Sequence, residues 1–185
     1  MSESPPEENL ANYLLLLIRV DQLCGKITEQ FSDQIACRAG CSGCCRHLSL
    51  FPVETANLFR AIKNLPIEIK VILSERIQWT ENDSCPLLLD DCCTVYQSRP
   101  VICRTHGLPL VTETDGGRVV DCCPENFRTA GSLPGSVVIN LETLNSALVA
   151  INAMFIVNND DECFQISDRY TIAEIIRISV DKEPA

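Results

Sequence analysis

The chain has 185 residues, 46% of them hydrophobic, and 25 acidic side chains against 15 lysines and arginines leave a net charge of −10. One domain of this length buries about 70% of its unfolded surface and does not need disulfides for stability. The acidic balance excludes nucleic acid as the main partner, because phosphate binding requires a basic face.

Residues 1–9 (MSESPPEEN) are acidic and rich in proline, and they read as a disordered tail ahead of a single domain over 10–185. They lack the basic start and apolar run of a secretory leader. The apolar run over 13–20 is eight residues long, short of the ~20 that a membrane span requires. The expectation is a cytoplasmic protein with no membrane span, in a compartment that disfavours persistent disulfides.

A first helix is predicted over 10–35, with Leu10, Leu14, Leu17, Cys24, Ile27, Phe31 and Ile35 on one stripe. Cys24 on that stripe reads as packing rather than as a ligand. Pro52 opens a second helix that runs to about Asn64, with Ala56, Phe59 and Ile62 spaced for burial. Pro66 repeats the device ahead of a helix carrying Ile69, Leu73 and Ile77 and ending near Thr80. The polar stretch 80–84 is a loop delivering Cys85, and 85–103 is irregular. Two runs over 108–112 and 118–122 flank Thr114-Asp115-Gly116-Gly117, a β-hairpin signal. Asn140 caps a long helix with Leu141, Leu144, Leu148, Ile151 and Phe155 on a stripe. The other face of that helix is poor in charge, which points to a protein partner or a dimer. Thr171-Ile172-Ala173-Glu174 is a capping box that opens a short last helix. The resulting fold class is mainly α: a helical domain with irregular Cys-rich metal-binding loops and one small β-hairpin.

Ten of the twelve cysteines fall within 37–123. The first block, Cys37-x3-Cys41-x2-Cys44-Cys45, gathers four soft ligands in nine residues, and Gly40 and Gly43 permit the tight turns that aim them inward. Cys85, Cys92, Cys93 and Cys103 follow, then Cys122 and Cys123. All-thiolate sites select zinc or iron–sulfur clusters and exclude magnesium and calcium. Consecutive side chains diverge, so Cys44 and Cys45 can serve different centres. Only Cys41-Ser42-Gly43-Cys44 forms the paired knuckle of structural zinc sites, which favours iron–sulfur over zinc. Over 84–128 the cations are Arg99, Arg104, Arg118 and Arg128 with no lysine, a choice that suits a neighbourhood of thiolates.

The sequence resembles the YkgJ-like cysteine-cluster proteins, a family of zinc- or iron-chelating domains, over residues 37 to 124. The match runs through Cys37, Cys41, Cys44, Cys45, then Cys85-Pro86, then Cys93-x2-Tyr96-x2-Arg99-Pro100-x2-Cys103-Arg104, and ends at Cys123-Pro124. The resemblance implies eight metal ligands: Cys37, Cys41, Cys44, Cys45, Cys85, Cys93, Cys103 and Cys123. Cys92 and Cys122 stand outside the pattern. A flagellin lysine methylase with a related cysteine pattern makes methyl transfer conceivable by analogy. The spacing of Cys37, Cys41 and Cys44 is also that of radical S-adenosylmethionine enzymes, but the helical stretches after Cys44 do not supply the alternating strands of a barrel.

His47 and His106 are the only histidines, too few for a His-rich zinc site. His106 reads as a neighbour of the ligands or a surface residue, and Tyr96 as a hydroxyl donor to sulfur or a loop-filling ring. Asp90-Asp91 and 160–162 read as solvated acidic loops, and Cys163 as incidental. The leading expectation is a protein with one or two 4Fe-4S clusters serving electron transfer, redox sensing or cluster-dependent chemistry. In it Arg99 and Arg104, with Tyr96, border the cluster and offset its charge through hydrogen bonds to sulfur. A zinc-stabilised interaction module is the alternative, and an iron–sulfur enzyme such as a methyl transferase the second; a redox or other protein partner follows from the first.

Overall fold

The computed structural model describes residues 7–78, 84–159 and 168–180. The described residues begin inside the stretch expected as a tail: Glu7–Leu10 forms a 3-10 turn, Leu10 is fully buried, and Asn9 Nδ2 donates to Asn159 Oδ1 at 2.9 Å. Helix α1 (Ala11–Gln30) follows. Leu10, Tyr13, Leu17, Val20 and Ile27 are its buried side, spaced by three and four so that they stay on one face. The predicted continuation to 35 fails for a tertiary reason. At Phe31 the backbone leaves the helix, its ring meets Phe127 edge-on at 5.6 Å, and the Phe127 amide donates to Gln34 O at 2.8 Å.

Helix α2 (Pro52–Lys63) starts on its proline, as predicted, and is buried on nearly every side. Glu54 is buried within its first turn and accepts from the amides of Phe51 and Val101 at 3.3 and 3.1 Å. Desolvation pushes the Glu54 carboxyl above the ordinary carboxylate range, against the pull of those two amides. Helix α3 (Ile67–Arg76) buries Leu73 and the Lys70 stem, and Lys70 Nζ donates to Lys63 O. The loop expected at 80–84 falls outside the described residues except for Ser84. Helix α4 (Val101–Thr105) is one short turn whose first amide is held by Glu54.

Helix α5 (Leu141–Asn158) carries the predicted cap, with Asn140 Oδ1 accepting from Thr143 N at 2.7 Å. Its stripe contains a polar residue that hydrophobic periodicity does not reveal. Asn152 is fully buried, and its Oδ1 accepts from Val53 N at 3.1 Å, satisfying a first-turn amide of α2 from across the core. By length and mean hydropathy (1.3), α5 is the one helix among the described residues long and apolar enough to cross a membrane. It nevertheless packs Leu148, Asn152 and Phe155 into the protein, while Val149, Met154 and Val157 are exposed. Helix α6 (Ile172–Val180) has the predicted box: Thr171 N donates to Glu174 Oε2 and Glu174 N to Thr171 Oγ1. His47 Nε2 accepts from Ala173 N at 3.1 Å, a further cap for α6.

Strands are few and short. β1 (Ser49–Leu50) pairs antiparallel with β7 (Tyr170–Thr171). β2 (Leu88–Leu89) and β3 (Cys92–Cys93) form a hairpin where the sequence pattern looked irregular. Two residues per strand give no readable period, and the turn uses Asp90 and Asp91 at φ 48° and 60°, where aspartate is among the better-tolerated residues. The predicted hairpin is β4 (Leu110–Thr114) with β5 (Gly117–Asp121), joined on its other edge by β6 (Ile139–Asn140) in parallel.

Three apolar clusters fill the interior. One lies among α2, α3 and α6, with Leu87, Leu88, Val95 and Cys85 closing it; a second lies among α1, α2 and α5. The third joins the end of α1 to Leu108, Phe127, Val137 and Ile139. Each fully buried Leu, Ile or Phe contributes roughly 1.5–3 kcal/mol. The cysteine loops are therefore set on rigid walls rather than hung from a tail.

Candidate metal centre

Local turns shape the first cysteine block. Cys41 N donates to Arg38 O at 3.0 Å and Cys45 N to Ser42 O at 2.9 Å, with Gly40 at φ +84° between the ends of the first turn. Ser42 Oγ then donates to Asp91 Oδ1 at 2.6 Å. Asp91, expected as a solvated acid, thus pins the block to the β2–β3 turn. Cys85 N donates to Cys45 O at 3.1 Å, and Arg46 bridges Ser84 as an isolated antiparallel pair.

These ties assemble the cysteines in two groups. Cys45, Cys85 and Cys93 pack on the α2–α3–α6 cluster, Cys85 only 8% exposed, and Cys103 joins them from α4. Burial pushes the Cys103 thiol up to about 12, with Cys85, Cys93 and Cys45 adding to the rise. Burial pushes Cys85 up to about 11, and Cys93 and Cys45 add to it. Arg99 pulls Cys45, Cys93 and Cys103 the other way. Thiols desolvated in this way favour the protonated form until a cation replaces the proton.

The second group is more open. Cys37 and Cys41 are exposed, and Cys44 and Cys123 partly buried. Burial raises Cys37, whose thiol also feels Cys41, Cys123 and Cys44. Gly107, at φ +88°, lets the backbone pass close by: a Cβ there would lie 3.5 Å from both Cys37 Sγ and Cys123 Cβ. Asn126, 4% exposed, organises this corner with every arm. Its Oδ1 accepts from Ala36 N at 2.9 Å, and its Nδ2 donates to Gly107 O at 2.7 Å and to Cys37 Sγ at 3.6 Å. Neither Asn126 nor Gly107 was picked out from the sequence; the available signals were a glycine beyond α4 and an asparagine three residues beyond Cys123. A cleft of about 510 Å³ opens beside Cys37, Cys41 and Cys123, with Arg38 and Glu125 on its rim. Cys44 links the two groups, its thiol raised by burial and then by Cys45 and Cys41.

The remaining residues singled out by sequence are placed as follows. Arg99 stacks its guanidinium 3.6 Å from the Tyr96 ring and donates to Tyr96 O and Cys103 O, while Tyr96 itself is 56% exposed. Arg104 donates to Arg99 O and Gln97 O and pairs with Asp21. The two arginines lend charge and brace the 96–104 loop, but their described hydrogen bonds run to oxygens rather than to sulfur. His106 is exposed at the end of α4. Cys92 is exposed opposite Leu89, and Cys122 packs against the third cluster. Cys24 is partly buried between the second and third clusters, and burial pushes it up to about 11. Cys163 and 160–162 lie outside the described residues.

Among the described residues no three His, Cys, Asp or Glu side chains already form a ligand cage. The donor set nevertheless fits a thiophilic ion: sulfurs only, in fours, on braced turns, with an amide N–H on one of them. Nothing matches the chain among curated proteins or among solved structures. One family model does match, over residues 36–124, just under half of the chain. The matching model is that of the CxxCxxCC family, described as a putative zinc- or iron-chelating domain.

Proposed function

We propose that this protein binds iron–sulfur clusters and serves in electron transfer or redox sensing. The observation that carries the reading is the gathering of eight thiols in two neighbouring fours, with an arginine beside one and an amide donor on the other. Cys37, Cys41, Cys44, Cys45, Cys85, Cys93, Cys103 and Cys123 would hold the iron, and a bound cluster would supply one-electron redox chemistry. The chain's own contribution is placement and dielectric. Leu88 and Val95 pack in the same apolar cluster as Cys85, the buried member of its four, Arg99 offsets negative charge there, and Asn126 orients Cys37.

Protein purified without oxygen should be brown, with broad absorbance near ~400 nm and stoichiometric acid-labile sulfide. A colourless preparation carrying zinc would move the same ligands to a structural role, in which metal ligation supplies folding free energy and no redox chemistry.

A further inference from the structure

We propose that the eight thiols form two separate metal centres of unequal access. An enclosed centre would use Cys45, Cys85, Cys93 and Cys103, and an open one Cys37, Cys41, Cys44 and Cys123, facing the Arg38 cleft. The division rests on the metal-binding reading above and adds the assignment of sulfurs and the difference in exchange.

Geometry distinguishes the two fours, which meet at Cys44 and Cys45. The enclosed group is tied by Cys85 N to Cys45 O and by the Leu88–Cys93 pairing, and it sits on the same apolar wall as Leu50 and Ile176. The open group is tied by Asn126 and by Cys123 N to Gly107 O at 3.3 Å. Its exposed members, Cys37 and Cys41, border the cleft of about 510 Å³, room for a small chelator or thiol to reach a bound ion. Two of the three cysteine doublets divide their members as the alternation of consecutive side chains requires. The Cys44 and Cys45 thiols instead stay within hydrogen-bonding reach of each other where the two groups meet, Cys44 beside Cys41 and Cys45 beside Cys93. Cys93 joins the core where Cys92 is exposed, and Cys123 lines the cleft where Cys122 packs on an apolar cluster. Ligand exchange at a thiolate centre requires an incoming ligand to approach the ion. The open centre therefore releases its metal without unfolding, and the enclosed one releases it only when the α2–α3–α6 wall opens.

The test uses the full chain, reduced and loaded with Cd²⁺ as a spectroscopic probe of thiolate ligation. Two equivalents should bind, and excess EDTA should remove them in two phases of equal amplitude, at least about tenfold apart in rate because one needs local opening. Cys37→Ser and Cys123→Ser should abolish the fast phase alone. Cys93→Ser and Cys103→Ser should abolish the slow phase alone, two variants being used in case one fails to fold. Cys92→Ser and Cys122→Ser should keep both phases. A single phase, or loss of both phases from each of the four ligand variants, would overturn the division while leaving metal binding intact. Failure of the wild-type chain to take up any cadmium would overturn the division together with the metal-binding reading.

Discussion

Asn126 offers a sharp test of how the open cysteine corner is held. Replacing it by alanine removes three hydrogen bonds, but the partners are not equally stranded. Gly107 O keeps the Cys123 amide at 3.3 Å, and Ala36 is exposed, so its amide can turn to water. Two neutral bonds at about 1 kcal/mol each, plus a small packing loss, give about 2–3 kcal/mol. Asn126→Asp keeps the shape and the Oδ1 acceptor but turns the Nδ2 donor into an oxygen facing Gly107 O, 2.7 Å away, and Cys37 Sγ. A carboxylate that is 4% exposed and faces the Gly107 carbonyl loses more, about 3–5 kcal/mol at neutral pH, because the weak Cys37 S–H donor offsets little of that cost. With a urea slope of about 2 kcal/mol/M, the midpoints should fall by about 1–1.5 M for Ala and about 1.5–2.5 M for Asp. Urea unfolding of chelator-treated, reduced protein measures both. The order is the point. If Asn126 merely filled space, the isosteric Asp would be the milder change, and a midpoint for Asn126→Asp at or above that of Asn126→Ala would refute the donor role.

Gly107→Ala meets Cys37, Cys123 and Asn126 only at 3.4–3.5 Å, so backbone strain at φ +88° decides, at about 1–2 kcal/mol in thermal or urea melts. Asn140→Ala should lower stability by about 1 kcal/mol through the lost cap on α5, with cadmium stoichiometry unchanged. Glu54 has a raised folded-state pKa, so its protonated form favours folding, fully below the unfolded value of 4.5, and that advantage is lost as pH rises through the folded value. The stability of wild type relative to Glu54→Gln, read from urea midpoints of reduced, chelator-treated protein, should therefore be greater at pH 4 than at pH 7; no change between the two would contradict it. Cys24→Ser should retain full metal content by elemental analysis, since Cys24 packs between two apolar clusters.

Which parts of this molecule could be read from sequence follows from how far apart the interacting residues lie. The starts of α2, α5 and α6 were legible because Pro52, Asn140 and the Thr171–Glu174 pair act within one turn of their targets. The β4–β5 hairpin was legible because Gly116 and Gly117 sit between two alternating runs. The end of α1 was not. Its periodicity continues to Ile35, and what stops the helix is Phe127, ninety-six residues past Phe31. Asn152 and Asn126 were hidden for the same reason, since each serves amides or carbonyls distant in the chain.

The cysteines fall between these cases. The resemblance to a family pattern, carried by short-range spacings, is what picked out eight of the cysteines in the sequence. The sequence also predicts that adjacent cysteines diverge, as extended pairs do, which holds for Cys92 and Cys93 in β3 but not for Cys44 and Cys45, whose thiols stay in hydrogen-bonding contact. It could not say to which side each member turns. That depends on Ser42 reaching Asp91, on Cys85 pairing with Cys45, and on Gly107 admitting Cys37 and Cys123 to one corner. Two doublets are split the same way, Cys93 and Cys123 each toward a four-thiol group and Cys92 and Cys122 toward solvent or an apolar wall, while the Cys44 and Cys45 thiols stay in contact where the groups meet. A doublet on a rigid turn is thus a means of fixing one thiol by committing the next. Substitution of the outward member, as in Cys92 or Cys122, tests the placement of the inward one without touching it.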